Sequence, residues 1–320
     1  MKENMMWTFF IYLSKHMWNE PSSPPKYEYL PSYDEYNRTD PDTWDEIVRF
    51  IAERKYNTVI IDVGDGLKFE SHPEISAPDA WDKDFLKKKL DEMRALGLEP
   101  IPKLNFSACH SAWLKEYRRM ISTPIYYRVC SDLIREVCEV FGYPRFFHLG
   151  LDEESFGNQR LLPVVTIRQG DLWWHDLSFL FNECEKHGAR PWIWSDYYWH
   201  NKEDFEKNMP RSVLQSNWYY DRIKDYNLPK NANKRTMIET YVRLGELGFE
   251  QVPTSSTCVI ASGKNSLQTL AYCKERVDPD SIKGFMTVPW FETEPDLEFA
   301  IKNDAHALYR GRKMFYPETL

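Results

Sequence analysis

The chain has no basic excess, no clustered cysteines, no glycine-rich phosphate loop and no membrane-length apolar run. Each absence removes a class of function. Its 41 basic residues are outweighed by 49 acidic ones, for a net charge of −8, whereas a nucleic-acid footprint needs the opposite sign. Cysteines stand at 109, 130, 138, 184, 258 and 273, with no C-x-x-C pair and no His/Cys ligand spacing. In a chain this long they read as scattered buried thiols, which favours a reducing compartment and a cytoplasmic location. The apolar run from Met5 to Leu13 is too short to cross a bilayer, and Ser14-Lys15-His16 follows it without a small-residue cleavage site. It reads as a first strand, not as a leader or an anchor. No glycine-rich loop follows that strand, which disfavours a dinucleotide-binding doubly wound sheet. No low-complexity linker divides the chain, so one domain spanning 1–320 is expected.

What is present is an ordinary core-forming composition, 42 % hydrophobic and 28 % charged. The aromatic load is less ordinary, with 12 Trp, 19 Tyr and 18 Phe, many of them at predicted strand ends. Strand patterns cover Trp7–Ser14, Thr58–Val63, Glu99–Phe106, Arg145–Leu151, Pro191–Ser195, Val213–Ser216, Val252–Ser256 and Gly284–Trp290. Between them, helical periodicity covers Asp40–Lys55, Ala80–Leu96, Ile125–Phe141, Leu172–His187, Lys202–Asn208, Met237–Leu247, Leu267–Arg276 and Asp296–Met314. Eight strand–helix pairs with right-handed crossovers predict an α/β fold, a single (β/α)8 TIM barrel.

In such a barrel the chemistry sits just after each strand. The most informative stretch is Phe147–Glu154, a short apolar strand running through Gly150 into Asp152, Glu153 and Glu154. The other strand ends supply Lys15, His16 and Trp18, then Asp62 and Asp65, then Asn105 and His110. Further along come Trp194, Asp196 and Trp199, Asn217, Trp218 and Tyr219, and finally Trp290 and Glu292. Carboxylates interleaved with indoles suit a neutral polyol, because rings stack on the C–H face of a sugar while carboxylates and amides bind its hydroxyls. A glycoside or oligosaccharide is therefore the expected partner, with no nucleic acid and no membrane. Metal-dependent barrel hydrolases commonly open with two histidines after strand one, and only His16 stands there, so no metal and no cofactor is expected. A glycosidase with an enzyme nucleophile needs a second carboxylate about 5–5.5 Å from the first. One common arrangement takes it from strand seven, where Val252-Pro253-Thr254-Ser255-Ser256-Thr257 offers no acid. That favours a nucleophile supplied by the substrate.

These residues resemble a known family. His148-Leu149-Gly150-Leu151-Asp152-Glu153 is similar to the His-x-Gly-Gly-Asp-Glu signature of family 20 glycoside hydrolases, the β-N-acetylhexosaminidases. Pro102-Lys103-Leu104-Asn105, followed by His110-Ser111, resembles that family's Pro-Glu-Ile-Asp…Gly-His segment on strand three. Lys15-His16 stands where the family has Arg-His, and Trp290-Phe291-Glu292 matches its Trp-x-Glu. The resemblance implies Glu153 as general acid/base and Asp152 as the carboxylate that holds the 2-acetamido group. It further implies His110 and Asn105 as support for Glu153, Glu292 on sugar hydroxyls, and Trp194, Trp218 and Trp290 as pocket walls. Lys15, His16, Asp196 and Tyr219 complete the expected substrate-binding set. Leu151 replaces the family's second glycine, Asn105 an acid, and Lys15 an arginine. The family's strand-seven tyrosine has no counterpart in Thr254–Cys258, leaving Tyr197, Tyr198, Tyr219 or Tyr220 to substitute. Two alternatives stay open: a glycosidase of other sugar specificity pairing Glu153 with Asp196 or Glu292, and a sugar-binding barrel without turnover.

Overall fold

The computed structural model describes residues 5–14, 34–160, 162, 164–223, 229–259 and 262–320. Strands β1 (Met6–Tyr12), β2 (Thr58–Asp62), β3 (Glu99–Lys103) and β4 (Phe146–His148) alternate with helices α1 (Pro41–Glu53), α2 (Lys83–Ala95) and α3 (Pro124–Val140). The short α4 (Phe156–Gln159) and the long α5 (Asp171–Lys186) lead to β5 (Arg190–Trp194). Then come α6 (Tyr197–His200), α7 (Lys202–Asn208), β6 (Leu214–Ser216) and α8 (Ala232–Glu246). The chain ends through β7 (Thr254–Ser255), α9 (Lys264–Arg276), β8 (Gly284–Thr287) and α10 (Glu298–Phe315).

All the strand pairs are parallel, in the order β6-β5-β4-β3-β2-β1-β8-β7. The remaining seam, between β6 and β7, is closed by isolated bridges pairing Gln215 with Gln251 and Trp218 with Thr254. Val252 N donates to Gln215 O at 2.8 Å across that seam. The result is the (β/α)8 barrel expected from the strand–helix repeat.

Side-chain alternation sorts the strands into two cores. Phe10, Ile60, Ile101, Trp192, Trp194 and Met286 fill the barrel. Phe9, Ile11, Val59, Ile61, Phe147 and Leu149 point outward against the helices. Each such buried side chain contributes about 1.5–3 kcal/mol. Helix α1 shows how the layers are tied to the barrel mouth. Asp40 caps it by accepting from Thr43 N at 2.7 Å, and Trp44, Ile47, Val48 and Ile51 form its buried face. The residue before the cap, Thr39, bonds Tyr12 O at 3.2 Å, and Thr293 bonds the same carbonyl at 2.6 Å. The ends of β1 and β8 are thereby clamped together beside Glu292.

The strands stop earlier than their hydrophobic patterns. Periodicity runs β4 to Leu151 and β3 to Phe106, yet the ladders end at His148 and Lys103. The reason at β4 is backbone: Gly150, Leu151 and Glu153 all take positive φ, at 70°, 67° and 57°. Helix α8 begins five residues before the expected Met237, at Ala232, because Asn231 caps it through Lys234 N. None of the six cysteines is in a disulfide; five are buried as expected, and Cys258 is exposed. Among the described residues no helix is long and apolar enough to cross a membrane.

Candidate active site

The turn after β4 organises the site. His148 is buried, and burial together with the nearby Lys103 charge holds its imidazole well below the ordinary histidine range, hence neutral. Its Nδ1 accepts from Gly150 N at 3.1 Å, which fixes the tautomer with the proton on Nε2. Gly150 has no alternative at φ +70°, since a Cβ there would lie 2.0 Å from Asn105 Oδ1. That close approach lets Asn105 read the turn. Its Oδ1 accepts from Ser107 N and Leu151 N at 3.1 and 3.2 Å, while its Nδ2 donates to Asp152 Oδ1 at 2.9 Å. Leu151, standing where the resembled signature has glycine, buries its side chain in the outer core beside Leu149.

His110 bridges the two candidate catalytic carboxylates. Its Nε2 lies 3.1 Å from Asp152 Oδ2 and 3.3 Å from Glu153 Oε2. Burial opposes its charge, but the Asp152 carboxylate beside it prevails and lifts its pKa to about 9, so it is an imidazolium at neutral pH. The converse holds for Asp152. Burial pushes its carboxyl up, yet the charge and hydrogen bond of His110, with Lys103 and Asn105, hold it well below the usual carboxylate range. Asp152 is thus a fixed anion, and Glu153 is the more exposed member of the pair, at 24 % against 9 %.

Asp196, after β5, closes the far side. Its Oδ2 accepts from Glu153 N at 2.7 Å, and its Oδ1 faces Trp218 Nε1 at 3.4 Å. Burial, followed by repulsion from Asp152, raises its pKa to about 8 despite the Glu153 amide. Next to it the inner core continues upward as an aromatic wall. Trp194 packs 4.7 Å from His148 and 6.0 Å from Trp290; Trp218 stacks on Tyr220 at 5.0 Å, and Tyr220 meets Trp290 at 6.2 Å. Glu292 is buried at the same end: the Tyr12 hydroxyl senses the charges of Asp62, Glu292 and Asp152 together. Among the described residues nothing hydrogen-bonds Glu292 Oε1.

Asn105, His110, Asp152, Glu153, Asp196, Trp194, Trp218, Trp290 and Glu292 therefore gather at one end of the barrel. Lys15, His16 and Trp18 lie outside the described residues. Tyr219 does not join them, because it turns into the outer core, and its neighbour Tyr220 faces the wall instead. Of the other tyrosines, Tyr197 packs on Trp173 and Tyr198 donates to Glu206 at 2.8 Å. Asp62 pairs with Lys103 inside the barrel, and Asp65 with Lys115 at 2.7 Å. Glu154 points away from the mouth into a buried network. It accepts from Ala108 N at 2.7 Å and from Arg168, which also reaches Asp176 at 3.2 Å and Phe106 O at 3.0 Å. Sequence reading missed Arg168, Ser107 and Cys109. Ser107 donates to Asp152 O at 2.5 Å, and Cys109 lies 4.0 Å from Glu153 Oε2. A separate cavity of about 700 Å³ on the outer helical layer, against Tyr198, Glu206, Arg243 and Tyr272, includes none of the strand-end carboxylates.

No protein-family model matches the chain, and no curated protein matches it. Solved structures do. A family 20 exo-β-N-acetylglucosaminidase from Vibrio harveyi, in complex with N-acetylglucosamine, aligns with a TM-score of 0.62 at 12 % identity, covering 99 % of this chain and 57 % of that one. A mutant Streptomyces plicatus β-hexosaminidase in complex with product aligns at 0.62 and 11 %, covering 98 % and 68 %. A Bacteroides fragilis β-N-acetylhexosaminidase aligns at 0.61 and 9 %, covering 98 % and 71 %. The chain spans little more than half the length of the Vibrio enzyme. At these identities the likeness is one of fold. The chain has the barrel fold of the family 20 glycoside hydrolases, the family that the residues after strand four resemble.

Proposed function

We propose that the protein is a retaining exo-β-N-acetylhexosaminidase in which the substrate supplies the nucleophile. The observation that carries this reading is the His110 imidazolium held between Asp152 and Glu153, at 3.1 and 3.3 Å, in an aromatic-walled barrel mouth. Two adjacent carboxylates in unequal environments can take different roles. In the first step Glu153 gives its proton to the glycosidic oxygen while the acetamido carbonyl oxygen attacks C1. The C1–O bond to the aglycone breaks, and a cyclic oxazolinium remains. Asp152, a fixed anion, receives the acetamido N–H and stabilises the positive charge that develops there. In the second step Glu153, now a carboxylate, takes a proton from water, whose oxygen attacks C1 and reopens the ring with retained configuration.

The site's own electrostatics support substrate assistance over a protein nucleophile. Asp196 has one oxygen committed to Glu153 N and the other facing Trp218, and with its pKa near 8 it is mostly a neutral acid at pH 7. A neutral acid is a poor nucleophile. Tyr220 takes the part for which strand seven offers no tyrosine. Its hydroxyl is pushed well above the usual tyrosine range by burial, so it stays a hydrogen-bond donor, and its ring lies against Trp218 and Trp290. Glu292 binds sugar hydroxyls through its buried carboxylate. The N-acetylglucosamine found with the Vibrio harveyi enzyme supports the same sugar class here.

The test is a paired assay of chromogenic β-glycosides with and without a 2-acetamido group. The 2-acetamido substrate should turn over and its 2-hydroxy twin should not, and a stable thiazoline should inhibit far better than the free sugar. Glu153→Gln should lower turnover by about 10²–10⁴-fold. Equal hydrolysis of both glycosides would overturn substrate assistance, and binding without hydrolysis of either would leave a lectin-like barrel.

A further inference from the structure

The mouth sets a thiol, which the glycosidase chemistry does not use, beside His110 and Glu153, which it does. Cys109 and His110 are consecutive on a single 3₁₀ turn, Ala108–His110, opened by Ser107, whose Oγ accepts from Cys109 N at 3.1 Å. That turn presents both side chains to the residues after β4. Cys109 Sγ lies 4.0 Å and His110 Nε2 3.3 Å from the same atom, Glu153 Oε2. The three donor atoms all fall within 4.8 Å of one another. We infer that Cys109, His110 and Glu153 form a binding site for a thiophilic divalent cation, Zn²⁺ in the first instance, whose occupancy withdraws Glu153 from catalysis.

The geometry is close to what the ion requires. Zn–S bonds of about 2.3 Å and Zn–N or Zn–O bonds of about 2.0–2.2 Å place neighbouring tetrahedral ligands about 3.3–3.7 Å apart. One pair is already at 3.3 Å and a second at 4.0 Å. The third pair, Cys109 with His110, lies within 4.8 Å and needs to close by up to about 1 Å, which falls to side-chain rotation on the turn the two residues share. A thiolate, an imidazole and a carboxylate suit zinc or cadmium and discriminate against magnesium and calcium, which prefer all-oxygen shells. Three ligands with water in the fourth position would leave the ion accessible from the mouth, hence exchangeable. The Asp152 carboxylate, 3.1 Å from His110 Nε2, adds a second anionic oxygen beside the site. The sequence concealed this set because Cys109-His110 and Glu153 are 43 and more positions apart and no spacing motif links them.

The binding half of this inference stands by itself, and the inhibitory half rests on Glu153 being the general acid/base. Two readouts keep them apart. In the first, Co²⁺ is titrated into the metal-free protein and the thiolate-to-cobalt charge-transfer band is followed. The band should appear in the wild type and in Cys258→Ser, which removes the exposed thiol, and be absent in Cys109→Ser. Zn²⁺ affinity, measured by competition with a chromogenic chelator, should fall by about tenfold or more in Cys109→Ser. Should that variant not fold, Glu153→Gln must produce the same fall. In the second readout, Zn²⁺ but not Mg²⁺ should abolish turnover of the 2-acetamido glycoside, and a chelator should restore it. No band in the wild type, or a band and affinity unchanged in Cys109→Ser, overturns the site. Binding at this site with turnover unaffected overturns the inhibition. If no glycoside is hydrolysed by any form, the functional reading fails while the cobalt band still decides the site.

Discussion

Gly150→Ala is the sharpest test of how the site is built, because its cost can be worked out bond by bond. A new Cβ would lie 2.0 Å from Asn105 Oδ1, 2.3 Å from its Cγ and 2.9 Å from its Cα. The last contact is with backbone, so rotating the Asn105 side chain does not relieve it. The φ of +70° adds a left-handed penalty of about 1–2 kcal/mol for an L residue. Displacing Asn105 removes its bond to the Asp152 anion, worth about 1.5–3 kcal/mol, and strands the amides of Ser107 and Leu151 at about 1 kcal/mol each. The expected loss is about 5 kcal/mol, a large part of a typical domain's 5–15 kcal/mol. Urea denaturation of wild type, Gly150→Ala, Asn105→Ala and the double variant measures it as a cycle. In the Asn105→Ala background the glycine substitution should cost only about 2 kcal/mol, because the hydrogen bonds it would break are already gone. Strictly additive costs, or a single-variant loss below about 1 kcal/mol, would refute the close-packed Asn105–Gly150 contact as the determinant of the turn.

Two further outcomes follow from the surrounding groups. Asp196 titrates near 8 in the folded protein against about 3.9 unfolded, so the native state holds a proton that the unfolded chain releases, and stability should fall as pH rises from about 4 to 8. Asp196→Asn should reduce that slope in melting temperatures taken across pH 4–9, while the falls contributed by Asp304 between about 4 and 6 and by His110 between about 6.5 and 9 remain; an unchanged slope would contradict the assignment. Arg168→Met should lower unfolding free energy by about 3–5 kcal/mol, since it leaves Glu154 and Asp176 buried without their cation. Arg168→Lys should recover little in the same denaturation measurement, because one ammonium cannot reach Asp176, Glu154 and Phe106 O at once.

The barrel was legible because its signals are local. Thr58–Val63 is a β-branched run buried on both faces, and Asp40-Pro41 before the Trp44, Ile47, Val48 and Ile51 stripe announces a capped helix. The strand ends were legible as a set of residue types but not as a geometry. Alternation extrapolated past His148 fails because the chain there adopts positive φ at non-glycine positions, which no propensity foretells. The same limit separates Tyr219 from Tyr220. Beyond Ser216 the β6 ladder gives way to the single bridge between Trp218 and Thr254, so which of two adjacent tyrosines faces the mouth depends on backbone irregularity. Arg168 sits in the stretch between α4 and α5, with no periodicity to mark it as buried.

The irregular turn also explains how two consecutive carboxylates come to face one histidine. On a regular strand, Asp152 and Glu153 would face opposite sides of the sheet, one into the mouth and one into the helical layer. Here the positive φ of Leu151 and Glu153 breaks that alternation, and both carboxylates reach the same His110 nitrogen. Each such residue stores about 1–3 kcal/mol of backbone strain, so the conformation persists only if its surroundings over-determine it. They do. Asn105 Oδ1 takes the Leu151 amide, Asp196 the Glu153 amide, and Ser107 donates to the carbonyl between them, Asp152 O. Asn105 and Ser107 come from the end of β3 and Asp196 from the end of β5, the two strands that flank β4. The leucine where the resembled signature has a second glycine is tolerated for the same reason, since its amide is held and its side chain is buried at 1 % exposure. The pairing of the two carboxylates is thus a property of three adjacent strand ends acting on one strained turn, and a substitution at Asn105, Ser107 or Asp196 acts on that pairing by releasing the turn.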